Sequence, residues 1–295
     1  MNLLDPETRR KIQFDKIWGG FEPLSEPGRR AHRNATPFFP GHGDALNRHF
    51  ERMQTLVDAC AGGKIPPRVF EAFGKIRGTE LLGEASSSWG VLELAQMREI
   101  MNALRDIATW ASAVGDGAWG LDFDPEVVRG LLNPHYNEKT GFAVRLQGVH
   151  EQKILLALKE ARAKFNAVSG KERDDIARIL GITAARLRTD LVVDRGEGRL
   201  REILDSTGHF VIIESTPWQV KYRYVPGKEV EKARECVNDL LGKISRLEEA
   251  VITRLRETVA MSLDGVQATM VALGALDLAI CQAQWAVKWS CNKPV

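Results

Sequence analysis

Apolar positions along most of this chain recur at helical spacing. Between Asp44 and Ala61 they are Leu46, Phe50, Met53, Leu56 and Val57, one face of a helix that Asp44 is expected to cap. From about Val91 to Val114 they are Leu92, Ala95, Ile100, Leu104, Ile107 and Trp110, a second helix. Shorter helices are predicted over Pro6–Trp18, ending at Gly19-Gly20, near Glu26–Arg33 inside a Pro- and Gly-rich stretch, and over Pro67–Phe73 after the stop signal "GGKIPP". Asp122 and Asp124 suit the N-terminus of a further helix better than paired acid/base chemistry. Leu146–Phe165 and Lys171–Thr189 read as two helical stretches, the second broken at Gly181.

The period then changes. "LVVDRGEGRL" reads as a strand fragment and a glycine turn, "HFVIIES" as a β-branched strand, and "WQVKYRY" as a second strand. The short Ser215-Thr216-Pro217 link between the last two predicts a hairpin. In its second strand Val220, Tyr222 and Tyr224 share one face, and Gln219, Lys221 and Arg223 share the other. Two readings of that basic face follow: an edge strand that Lys and Arg defend against aggregation, or a surface that meets a polyanion.

After Pro226-Gly227 the apolar positions are Val230, Ala233, Val237, Leu240, Ile244, Leu247 and Val251, a coiled-coil seam. A helix reaching Ser262 would be about 54 Å long. That length predicts a strut between two packing regions, the alternative being a bundle helix packed along its whole length. The final apolar stretch, Leu263–Trp289, carries Asp264, Asp277 and three Gln. One charge near the centre of a spanning helix costs roughly 2.5–3.5 kcal/mol, so a buried core helix is expected rather than a membrane span.

Composition narrows function mostly by exclusion. With 44% hydrophobic and 27% charged residues the chain has the balance of a soluble globular protein, not a disordered one. A net charge of +2 does not single out nucleic acid, yet residues 150–226 hold 14 Lys and Arg against 11 Asp and Glu. Cys60, Cys236, Cys281 and Cys291 form no C-x-x-C pair, which predicts free, buried thiols in a reducing compartment. "MNLLDPETRR" has acids where a signal peptide needs an apolar run, so an intracellular protein is expected. Gly170-Lys171 is not a phosphate-binding loop, because Phe165 and Glu172 occupy the required Gly and Ser/Thr places. His32, His42 and His49 lie too far apart for a compact metal pattern, and the seven tryptophans are scattered. No cofactor, metal site or catalytic group is predicted; an enzyme of unknown type is the residual alternative.

Several stretches taken in order resemble the MutS family of DNA mismatch-repair and related proteins. "IQFDKIWGGFEPLSEPGRRAHRNATPFFPGHGDALNRHFERMQTLVDA" is similar to the start of that family's lever, or core, region. "LNPHYNEK" resembles the Pro-aromatic-acid stretch before the outgoing clamp helix, and "STPWQVKYRYVPGKEVEKARECVNDLLGKISRLEEAVITRLRETV" the strand and helix that return from the clamp. "MVALGALDLAICQAQWAVKWSCNKP" is similar to the closing core helix, with Leu276-Asp277 at an apolar-Asp pair. The mismatch-reading and ATPase domains of the family have no counterpart in this sequence.

The resemblance implies a mostly α fold: a long-helix lever bundle from residues 1–140 and 227–295, with an inserted α+β clamp, 141–226, holding a short antiparallel β element. It further implies non-catalytic binding of duplex DNA through phosphates, without cofactor or membrane. The expected contacts are Lys221 and Arg223 on the strand and Arg195, Arg199 and Arg201 around the Gly196/Gly198 turn. Lys171, Arg173, Arg186 and Arg188 rank second. The alternative partners are structured RNA or a ribosome, and an oligomeric partner or larger assembly on which the long helix docks.

Overall fold

A computed structural model describes residues 5–39, 41–83, 88–115, 119–188 and 190–291, with the Arg188 side chain outside the described set. The fold is mostly α with a small antiparallel β element. The described residues up to Arg145, with those from Val251 onward, form one compact unit, and Leu146–Ala250 form a second.

The first unit begins with α1 (Pro6–Lys11) and α2 (Phe14–Trp18). They are separate because Gln13 adopts the left-handed conformation, φ 54°, so the single helix expected there is broken. Then follow α3 (Glu26–Asn34), α4 (Gly43–Ala61), α5 (Pro67–Lys75), α6 (Val91–Val114), α7 (Glu126–Leu132) and a minimal hairpin of β1 (Tyr136–Asn137) with β2 (Gly141–Phe142). Asp44 does not cap α4: the helix starts one residue earlier, with His42 at the cap position and no side-chain hydrogen bond. Asp124 does serve a helix start, accepting from the Glu126 N–H at 2.9 Å. The core gathers Leu94, Met97, Ile100, Leu104 and Ile107 of α6 with Leu56, Phe73, Trp89 and Leu132. Each such fully buried side chain contributes about 1.5–3 kcal/mol of hydrophobic stabilisation.

The second unit contains α8 (Val149–Leu180), β3 (Leu191–Asp194), α9 (Gly198–Ser206), β4 (Phe210–Ser215), β5 (Gln219–Tyr224) and the part of α10 (Lys228–Ala260) that precedes Val251. The two helices expected before Thr189 are one: α8 runs straight through Gly170 and stops at Gly181, whose φ of 63° closes it. Along α10 the expected seam is the covered side, with Val230, Ala233 and Ile244 buried. Beyond Val251 the buried positions shift to Ile252, Leu255 and Val259, which pack in the first unit's core. Of the thiols expected to be buried, Cys236 and Cys291 are instead exposed.

The closing helix α11 (Leu263–Lys288) lies against α3 and α4. Among the described residues it alone is long and apolar enough to cross a membrane, yet 61% of its apolar window is buried within the protein, as in a core helix. It carries one buried charge. Asp277, 2% exposed, accepts from the Ser25 N–H at 2.7 Å, the Ser25 hydroxyl at 2.6 Å and the Leu24 N–H at 3.3 Å. Ser25 Oγ in turn accepts from the Gly28 N–H at 3.0 Å and caps α3. One carboxylate thus joins α11 to the start of α3.

Burial pushes the Asp277 carboxyl above the ordinary carboxylate range, and the Ser25 and Leu24 donors and the Arg29 charge offset this only in part. A raised folded-state value means that the folded protein binds this proton more tightly than the unfolded chain does. Relative to Asp277→Asn, the wild type should therefore gain stability as pH falls through the raised value, levelling off below about 3.8. Urea unfolding of both proteins at stepped pH reads this directly; a difference independent of pH would contradict it.

Candidate nucleic-acid interface

The second unit's sheet has strand order β3-β5-β4, antiparallel throughout. The basic strand β5 is therefore central, not an edge, because β3 returns from a distance in sequence to pair with it. Leu191 pairs with Tyr222, Val192 with Lys221, and Val193 with Val220. On the other side Phe210 pairs with Tyr224, Val211 with Arg223, Ile212 with Tyr222 and Glu214 with Lys221, leaving Ile213 as a bulge.

Burial along β5 alternates as its sequence requires. Val220 and Tyr222 are buried with Val193, Leu204 of α9, and Ile176, Ala177 and Leu180 at the end of α8. Lys221 and Arg223 rise from the opposite face, beside Val192, Val211 and Glu214 of the flanking strands.

Those two cations share one carboxylate. Asp190, just before β3, accepts from Arg223 Nε at 3.0 Å and Nη2 at 3.3 Å, and lies 3.5 Å from Lys221 Nζ. The Arg223 hydrogen bond, then the charges of Arg223 and Lys221, hold the Asp190 carboxyl below the usual range, and Asp190 pushes the Arg223 guanidinium up. The pair is solvent-exposed and screened, so Asp190 orients the cations more than it binds them. Arg223 keeps 60% of its side chain exposed.

The remaining cations divide by what they touch. Arg195 is committed to the β4–β5 turn: its Nε donates to the Thr216 carbonyl at 2.9 Å and its Nη2 to Ser215 Oγ at 2.8 Å. At the same turn Trp218 is 80% exposed. Arg199 and Arg201 do not flank an open glycine turn, because Gly198 already begins α9. Arg199 is exposed. Arg201 is half-buried, with Nε enclosed and lacking a hydrogen-bond partner, so it is not a free surface cation. Lys171 is exposed on α8, whereas Arg173 is half-buried beside the Tyr224 hydroxyl. Arg186 is exposed in a short 3-10 segment, Ala184–Arg188, and the Arg188 side chain lies outside the described residues. Of the sequence candidates, Lys221 and Arg223 are brought together on one carboxylate, that of Asp190.

Three contributors were not singled out in the sequence: Asp190, Trp218 and Glu172. Only the β3–β5 register places Asp190 beside Arg223, and no local pattern announces it. Glu172 anchors the turn that leads from β5 into α10. It accepts from the Tyr224 hydroxyl and, at 2.9 Å, from the Gly227 N–H, with His209 Nδ1 at 3.8 Å. Burial, then the bond to Glu172, pushes the Tyr224 hydroxyl far above its ordinary value. A Cβ on residue 227 would stand 2.6 Å from Glu172 Oε2 and 3.0 Å from His209 Cε1, so a larger residue there would push the Glu172 carboxylate aside. Glu172→Ala should destabilise the second unit by about 1–2 kcal/mol, the cost of leaving the half-buried Tyr224 hydroxyl and Gly227 N–H without their acceptor. Amide hydrogen exchange at Gly227 and along β5 would show it, and unchanged protection would contradict the anchoring role.

Among the described residues no group of His, Cys, Asp and Glu could hold a metal ion. No family model matches the chain, and no curated protein matches it.

Proposed function

We propose that this chain is a MutS-like lever-and-clamp module whose second unit binds duplex DNA through its phosphates, without catalysis of its own. The supporting order of elements is a helical unit, the outgoing α8, a small sheet, the returning α10 and the closing α11. The observation that carries the reading is the open face of the sheet. Lys221 and Arg223 stand on its central strand, oriented by Asp190. Exposed Trp218 at the hairpin turn and exposed Arg199 at the start of α9 add an aromatic surface and a further cation in the same unit.

A central strand is the more rigid place for such cations. A phosphate would displace or share the Asp190 carboxylate, trading one screened ion pair for another, so contact costs little. Binding of this kind is independent of base sequence, with a dissociation constant of roughly 10⁻⁴–10⁻⁶ M at physiological salt.

The test is duplex binding at fixed low salt by wild type, Lys221→Ala/Arg223→Ala and Asp190→Asn. Each charge-assisted contact contributes about 1 kcal/mol or more, so the double variant should bind roughly tenfold to a hundredfold more weakly. Asp190→Asn frees both cations and should bind more tightly. Unaltered affinity in all three would sink the proposal, and preferential competition by ribosomal particles would move it to an RNA partner.

A further inference from the structure

The strand β4 is a lightly guarded sheet edge. It pairs with β5 on one side only, and among the described residues its outer edge makes no backbone hydrogen bond. Natural edges are guarded by charged side chains, Pro, bulges or brevity, and β4 has of these the bulge at Ile213 and one acid, Glu214. β4 is six residues long, "FVIIES", with no Lys, Arg or Pro. Val211 is 47% exposed, Ile212 54% and Ile213 38%. The opposite edge, β3, is guarded: Asp190 and Asp194 bracket three apolar residues, and Arg195 follows.

We propose that β4 is a self-association edge, occupied by β4 of a second copy of this chain in antiparallel pairing. Two observations favour a second copy over an unrelated strand. The first concerns charge. Glu214 is the only charged residue of β4, it is exposed, and it has no ion pair among the described residues. A register that sets Val211 opposite Glu214 of the second copy, and Phe210 opposite its Ser215, keeps open face on open face and packed face on packed face. Val211 already lies beside Arg223 within its own sheet. Each Glu214 would therefore gain the other copy's Arg223 one strand away, and the two-fold axis makes that exchange twice. The second observation concerns closure. A head-to-tail pairing of β4 with β3 would build an open fibre, and the acids bracketing β3 disfavour it. The β4–β4 pairing closes at two copies. The result is one six-stranded sheet of order β3-β5-β4-β4-β5-β3, with both Lys221/Arg223 pairs on a shared face.

The bulge at Ile213 fits this arrangement. It falls beside the axis, where Ile212 of one copy meets Ile213 of the other, and the extra residue restores the facing of Glu214 with Lys221.

The test combines association with proximity. Wild type, followed by sedimentation over a concentration series, should show a monomer–dimer equilibrium. Ile212→Lys places two like charges at the axis and should weaken dimerisation by roughly a hundredfold or more, with circular dichroism unchanged. For proximity, exposed Cys236 and Cys291 are first replaced by Ser. Single Val211→Cys and Glu214→Cys proteins are then mixed under copper–phenanthroline. The mixture should form a disulfide-linked dimer, and each protein alone far less. A wild type that stays monomeric at every concentration overturns the inference. So does a dimer that tolerates Ile212→Lys, or one whose mixed cysteines fail to link.

Discussion

Gly28→Ala is expected to destabilise the helical unit by about 3 kcal/mol. A Cβ at position 28 would overlap the Asp277 carboxylate, with its Cγ at 2.8 Å and Pro23 Cβ also at 2.8 Å. The carboxylate has little room to retreat, because Ser25 and Leu24 hold it and α11 is buried around it. From the facing helix, Gly274 is equally constrained, its missing Cβ lying 2.6 Å from the Pro27 carbonyl. Overpacking therefore also strips hydrogen bonds from a buried charge, and the two costs add. Gly170→Ala is the control. That glycine lies inside α8, and a Cβ there would meet nothing within 4 Å, so its replacement should stabilise by about 0.5–1 kcal/mol. Urea unfolding followed by tryptophan fluorescence measures the first, since six of the seven tryptophans lie outside residues 146–250. A Gly28→Ala protein as stable as wild type would contradict the packing described for α3 and α11.

Tyr222 carries the second large effect, with two substitutions expected to act in opposite directions. Its ring is 1% exposed and is the largest fully buried side chain of the small sheet's core. Tyr222→Ala should cost the second unit about 3–5 kcal/mol, by analogy with other large-to-small aromatic changes. It would also loosen the strand that holds Lys221 and Arg223, so duplex binding should fall with it. The hydroxyl, however, is buried without a hydrogen-bond partner. Tyr222→Phe removes an unsatisfied polar group while keeping the ring, and should be neutral or stabilising by about 1 kcal/mol. Unfolding monitored by backbone hydrogen exchange in β3, β4 and β5 separates the two variants. A Tyr222→Phe protein markedly less stable than wild type would show that the hydroxyl is bonded after all.

The sequence was most informative where local signals agreed. Val91–Val114 is helical at its expected bounds because its apolar face repeats without interruption between two glycine-flanked ends. The alternation in β5 was legible because a two-residue period fixes which side chains share a face. Other features were decided by partners remote in sequence. Leu146–Phe165 and Lys171–Thr189 read as separate helices, yet the good helix formers Lys171, Glu172 and Arg173 directly after Gly170 let α8 continue through it. β5 became a central strand only because β3 returns to its free side. The same pairing brought Asp190 to Lys221 and Arg223, which no spacing rule could show. Arg201 looked like a surface cation near a glycine turn, but α9 begins at Gly198 and turns that side chain partly inward. The strand β4 was legible in the β-branched run "FVIIES", but that it is an edge depends on the strand order.

The proposed contact is between phosphate and the open face of the sheet, through Lys221 and Arg223. Its most direct test is the dependence of duplex affinity on salt, measured side by side for wild type and Lys221→Ala/Arg223→Ala. Phosphate contact predicts a linear fall of log K with log salt, with a slope shallower by about 2 in the double variant, one unit for each lost contact. Identical slopes for the two proteins would contradict it.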